Sequence, residues 1–231
     1  MALVMYERVG LGEHRISPFS WRIRFAMAHK KADVEYIPTR FSDVAKIERL
    51  SSQKFVPIIV DGTKVIADSW NIARHLEAIY PDRPSLFGDE ASLATTRFIN
   101  LWAESTLMRT ARMMWGADFL KVLDPEGTAY FRSSREPVYG MTLEAAQAKR
   151  AETLPQFVDA CLPLERLLGE QAFVSGTTPR YADYIVFSVF QWARMATRFE
   201  IVTAGSQIAR WRSTMIGLYD GLADKFPGPP A

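Results

Sequence analysis

The chain has 231 residues, 48% hydrophobic and 23% charged, a balance that suits a water-soluble protein of one large domain or two modest ones. Its net charge is +2 with Lys and Arg scattered among acids, which gives no nucleic-acid footprint, and no apolar run is long enough to span a membrane. The single cysteine, Cys161, excludes an internal disulfide, and the three histidines, His14, His29 and His75, lack metal-ligand spacing. Cys161 sits among apolar neighbours and reads as a small core residue. Glu7 and Arg8 follow only a few apolar residues, unlike a signal peptide, so the cytoplasm is the expected compartment.

Leu3-Val4-Met5-Tyr6 reads as a strand. The loop behind it holds Gly10 and Gly12, without the third glycine of a dinucleotide fingerprint. From Phe19 to Lys31 apolar residues recur at helical spacing. Ser17 is a natural N-cap and Pro18 a natural first helical residue, while His29, Lys30 and Lys31 close the last turn where the dipole favours cations. Ser17 thus stands where free N–H groups stabilise an anion, and it reads either as a cap alone or as part of an anion site. Strand, loop and a helix opened by Ser17-Pro18-Phe19-Ser20 resemble the start of the thioredoxin fold, with serines where its redox motif has two cysteines.

Val34 to Pro38 alternates as a second strand, parallel to the first through a right-handed crossover. Phe41 to Leu50 predicts a short irregular helix. Asp61-Gly62 between two β-branched runs predicts a hairpin, with Pro57 opening its first strand. Asp68-Ser69 caps a helix over Trp70 to Tyr80, which completes the order βαβαββα. The proline-rich stretch from Tyr80 to Gly88 places the domain boundary, giving an α/β unit over 1–82 and an all-α unit over 89–231. In the second unit Ala91 to Lys121 predicts one long or broken helix. Asp124 to Gly140, with Pro125, Gly127 and Pro137, predicts a long loop. Helical periodicity resumes from Thr142 to Leu168, where Pro155 and Pro163 mark breaks or helix starts, and an apolar helix runs from Ile185 to Arg198.

Ser17-Pro18-Phe19, Val56-Pro57 and Asp68-Ser69, in this order and with the Asp-Gly hairpin between the last two, resemble the glutathione transferase superfamily. The resemblance implies an N-terminal thioredoxin-like domain, an all-helical C-terminal domain and a homodimer. It implies glutathione as co-substrate and no metal. Pro57 would be cis, turning the backbone of Val56 toward the cysteinyl part of the tripeptide. Asp68 would pair with the γ-glutamyl ammonium and Ser69 with its carboxylate, while Lys54 would meet the glycyl carboxylate. Ser17 would donate a hydrogen bond to the sulfur and favour the thiolate, with Ser20 as second candidate or else a polar residue facing the cleft. Asp183 would be structural, in a capping segment where Arg180 stands in the usual Ser/Thr place and Thr178 with Pro179 offers another cap.

Tyr130 to Glu136, Gly140, Leu143-Glu144 and Gln147-Ala148, with Trp21-Arg22 behind the front motif, look like the bacterial β-etherase type of this superfamily, which cleaves β-aryl ethers of lignin-derived dimers. The acceptor site would lie between the domains, beside the thiolate, lined by the loop after the first strand and the first long helix of the second domain. Met108, Arg109, Arg112, Met113, Trp115 and Trp192 are its candidate residues, each with core or dimer-interface packing as the alternative. Aromatic and Met side chains would stack on an aryl group and an Arg would hold a carboxylate or phenolate. The reaction would be displacement of a leaving group by the thiolate, with detoxification among the roles implied. A non-catalytic binder of glutathione and aromatic ligands is the alternative; a thiol–disulfide oxidoreductase is disfavoured because no sulfur stands in the tetrad.

Overall fold

The sheet is built from four short strands, β1 (Leu3–Arg8), β2 (Val34–Thr39), β3 (Ile58–Asp61) and β4 (Lys64–Ala67), in the order β2–β1–β3–β4. The computed structural model describes residues 2–226, 228 and 229. β1 pairs parallel with β2, which requires a crossover, and α1 (Pro18–His29) supplies it. β3 lies antiparallel to β1, with Met5 opposite Ile59, and turns into β4 at Asp61–Gly62, where Gly62 takes the φ of 60° that this turn requires. With α2 (Val44–Ser51) and α3 (Ser69–Ile79) the order is βαβαββα, a thioredoxin-like domain.

Helices follow. α4 (Glu90–Trp102) runs into a π-helical stretch, Ala103–Met108, and a final turn, α5 (Arg109–Ala111), so the predicted helix over Ala91 to Lys121 is broken. After α6 (Gly116–Leu120) comes α7 (Pro125–Tyr139), where the sequence predicted a loop. The breakers there sit where a helix tolerates them. Asp124 is the N-cap, accepting from the Gly127 N–H at 2.7 Å, Pro125 opens the first turn, and Gly140 ends the helix with φ 66°. Pro137 lies in the last turn, where it forfeits one backbone bond.

α8 (Leu143–Ala148), α9 (Arg150–Ala160) and α10 (Leu162–Glu170) divide the next segment. Pro163 lies in the first turn of α10, whereas Pro155 falls inside α9 and does not break it. α11 (Tyr181–Ala196) is buried along nearly its whole length, and α12 (Gln207–Gly221) closes the fold with a non-helical turn at Leu218–Asp220. The N-cap of α11 is Arg180, so the cap expected from Thr178 and Pro179 is not the one used. A guanidinium has no acceptor to offer the first turn. Asp183 compensates: fully buried, it accepts from the N–H groups of Val174, Ser175 and Arg180 and from the Trp211 indole.

α1 packs along α11, which joins the two halves. Phe25 stands 5.2 Å from Phe187 and 5.4 Å from Tyr184, ring centre to ring centre. One turn on, His29 Nδ1 lies 2.6 Å from the Tyr184 hydroxyl and 3.2 Å from that of Tyr219. Burial and neighbouring Lys30 hold the His29 imidazole below its ordinary value of 6.5. The folded state therefore resists a proton that the unfolded chain accepts, and this contribution is complete above pH 6.5 and lost as pH falls through the lowered value. Urea denaturation at pH 7.5 and 5.5 should show His29→Gln losing less stability on acidification than the parent chain.

Candidate active site

Pro18 fixes the first turn of α1, and Ser17 caps it, its Oγ accepting from the Ser20 N–H at 3.2 Å. Among the described residues the Ser17 hydroxyl proton has no acceptor, so the side chain can still donate. The hydroxyl stands on the N-terminal end of a twelve-residue helix, where the dipole favours negative charge. Ser20 is buried at 2% exposure and its Oγ has no partner, so it does not face the cleft.

The Val56–Pro57 peptide is cis, and it precedes β3 rather than opening it. Neither the N–H nor the carbonyl of Val56 is paired among the described residues, so this backbone presents an unfilled donor and acceptor. Asp68 sits at φ 73°, a left-handed conformation, and caps α3 by accepting from Trp70 and Asn71 N–H groups through one oxygen, Oδ1. Its other oxygen is unpaired among the described residues. Ser69, the first residue of α3, is positioned from the helical half: the Tyr181 hydroxyl donates to its carbonyl at 2.8 Å.

These pieces open on one cleft of about 910 Å³ between the two halves. Ser17, Lys54, Val56, Pro57, Asp68 and Ser69 line one side, and Met108, Arg109, Arg112 and Trp192 line the other. Lys54 is exposed, 3.8 Å from Glu48. Met113 and Trp115 are absent from the lining. Trp115 is wholly buried behind Trp192, their rings edge to face at 5.0 Å, because the chain turns inward between α5 and α6. Of the loop after β1, Ile16 and Ser17 join the wall, while its first turn is tied elsewhere. Its Leu11 N–H is bound to the Val122 carbonyl at 2.7 Å, and a Cβ on Gly10 would meet that same oxygen at 2.1 Å.

The sequence reading missed the contribution of α7 and of the segment before α2. Tyr130 stacks on Phe41 at 5.1 Å with 23° between the rings, and Phe131, Arg135 and Tyr139 continue the wall. Glu104, also unforeseen, enters from the π-helical stretch, held by Arg22 at 2.8 Å and Asn100 at 3.0 Å. Arg8 stacks on Phe41 at 4.8 Å, and burial brings its guanidinium down to about 10. Alternation of Tyr130, Ser134 and Val138 at a spacing of four was the available signal for α7, masked by its prolines.

Residues 11–84 match the family description "Glutathione S-transferase, N-terminal domain", and residues 94–215, more than half of the chain, match "Glutathione S-transferase, C-terminal domain". The chain belongs to the glutathione S-transferase family. A glutathione S-transferase-like protein of Aspergillus flavus is 29% identical over 54% of this chain and 49% of its own length. A zeta-class glutathione S-transferase of Euphorbia esula is 35% identical over 32% of this chain and 34% of its own. The chain thus spans half or less of these two relatives. Among solved structures, a glutathione S-transferase of Ceriporiopsis subvermispora in complex with glutathione superposes with a TM-score of 0.77 at 21% identity, covering 97% of this chain and 94% of the other, a likeness of fold.

For this glutathione S-transferase family member, Asp68 has a purely structural duty beside any it has toward a ligand. Asp68→Ala should remove the cap of α3 and lower the unfolding free energy by about 1 kcal/mol, measured by urea denaturation.

Proposed function

We propose that the protein is a glutathione transferase acting on an electrophilic aromatic acceptor. The observation that carries this reading is the Ser17 hydroxyl, with its proton uncommitted, facing the same cleft as the unpaired backbone of Val56, the free oxygen of Asp68 and the first turn of α3. The four fit the tripeptide in the order implied by its chemistry. Asp68 takes the γ-glutamyl ammonium, and Ser69 with the α3 N-terminus takes the carboxylate. Val56 pairs with the cysteinyl backbone, and Lys54 offers a cation to the glycyl end. Ser17 then donates to sulfur. Hydrogen bonding to the charged form, together with the helix N-terminus, favours thiolate over a thiol that titrates near ~8.5 in water.

The bound thiol releases its proton to solvent. The thiolate attacks an electrophilic carbon, a C–S bond forms, and the leaving group departs with its electron pair. Holding both reactants in one cleft supplies much of the acceleration. Phe41, Tyr130, Tyr139 and Trp192 give an aryl ring faces to stack on, which supports an aromatic acceptor and is compatible with β-aryl ether cleavage, where the leaving group is a phenolate. Within this reading the protein is a homodimer, and exposed Phe98 and Leu101 on α4 are apolar surface that a second copy would cover. Among the described residues no helix is long and apolar enough to cross a membrane, and the cytoplasm is the compartment we propose.

Ser17→Ala should lower kcat/KM by about 100-fold with glutathione and a chromogenic aryl halide, and should move the pH–rate profile toward the free-thiol value. Glutathione bound without turnover across several acceptors would overturn the reading. Asp68→Asn, which keeps a cap, should raise the KM for glutathione by about tenfold while leaving stability nearly unchanged.

A further inference from the structure

Three arginines line the helical wall of the cleft without an acid to answer them. Arg109 opens α5, Arg112 follows its last residue, and Arg135 comes from α7. Among the described residues none of the three guanidinium groups makes a hydrogen bond or an ion pair. Arg112 is the most enclosed: its Nε is buried with no partner, and its guanidinium carbon lies 5.4 Å from the centre of the Tyr139 ring. Arg135 lies 5.4 Å from the Phe131 ring. Burial raises the Tyr139 phenol while Arg112 and Arg135 both pull it back.

A neighbour on the same helix is placed differently. Arg132, three residues before Arg135 on α7, is tied to both Glu136 and Glu144. The acids on the cleft pair elsewhere than with these arginines: Asp68 binds the first turn of α3 through Oδ1, and Glu104 binds Arg22 and Asn100 through Oε1. A neutral aromatic ligand filling the space between Tyr139, Tyr130 and Trp192 would strip water from Arg112 and give it no counter-charge. An anionic ring would complete it.

The geometry points to an aromatic acid as the acceptor, its carboxylate seated on Arg112 beside Tyr139, with Arg135 as the second cation. This rests on the transferase reading for its chemistry, and it assigns Arg112 as the residue that selects the acceptor. Lys54, across the cleft, serves the other substrate.

A matched pair of acceptors tests it: 4-chloro-3-nitrobenzoate and its methyl ester, which differ by one charge and lose the same chloride to the same thiolate. The full-length protein should show at least tenfold higher kcat/KM for the acid, after correction for the two uncatalysed rates, and this preference should shrink with added salt. Arg112→Met should erase the preference through the KM for the acid, Arg112→Lys should keep part of it, and Arg132→Met, whose side chain faces away, should leave the ratio as it is. Turnover of both with a ratio below twofold overturns the inference and leaves the transferase standing. So does a rise in the KM for glutathione, in place of the acid, in Arg112→Met. Turnover of neither, with no turnover of other electrophilic acceptors either, overturns the transferase reading. Quenching of tryptophan fluorescence by 4-nitrobenzoate and by methyl 4-nitrobenzoate then decides the inference alone, with tighter binding of the acid supporting it and equal binding overturning it.

Discussion

The geometry of the cleft depends on one buried guanidinium. Arg22, in the middle of α1 and fully buried, donates to Ser188 on α11, to Asn100 on α4, and to Glu104 and Met108 Sδ on the π-helical stretch. An unpaired charge at this depth would cost several kcal/mol, so the four acceptors must be where they are for the halves to close. Ser17 stands at the head of the same helix, and Glu104 and Met108 reach the cleft from the other side. The distance across the site is therefore set from behind it, by a side chain that touches no ligand. Tyr181, bound to the Ser69 carbonyl, repeats the arrangement at α3.

Charge is handled the same way at the end of β1. Glu7 is fully buried, and it accepts from Arg24 on α1 at 2.6 Å and pairs with Arg15 from the following loop at 2.8 Å. Arg24 in turn lies over the Tyr36 ring at 4.0 Å. Loop, strand and helix are locked to each other before the chain reaches Ser17. Arg109, Arg112 and Arg135 on the cleft have neither acid nor carbonyl to serve among the described residues, and none of them takes part in that locking.

The parts of the fold that local backbone chemistry controls were legible in the sequence. Ser17-Pro18 starts a helix because of what a hydroxyl and a proline do at a first turn, Asp61-Gly62 turns because glycine accepts a positive φ, and Asp68 caps α3 as its carboxylate suggests. α7 was hidden for the converse reason. Pro125, Gly127, Pro137 and Gly140 look like loop when counted by composition, and each is harmless at the particular turn it occupies. Walls of the cleft were harder still. Trp115 and Trp192 are both large, helix-associated and aromatic, and only the inward turn of the chain between α5 and α6 decides that one backs the other. Phe41 and Tyr130 meet across some ninety residues of chain, a contact that no local pattern carries.

Cys161 shows what the protein withholds from its own chemistry. Its thiol is 4% exposed, and burial pushes it up to about 12, so it offers almost no thiolate at neutral pH. Under the proposed transferase activity, the chain would thereby carry no competing thiolate of its own. On that reading, alkylating compounds entering the cleft would consume the diffusible tripeptide, which is replaced each cycle, and spare the polypeptide, which is not.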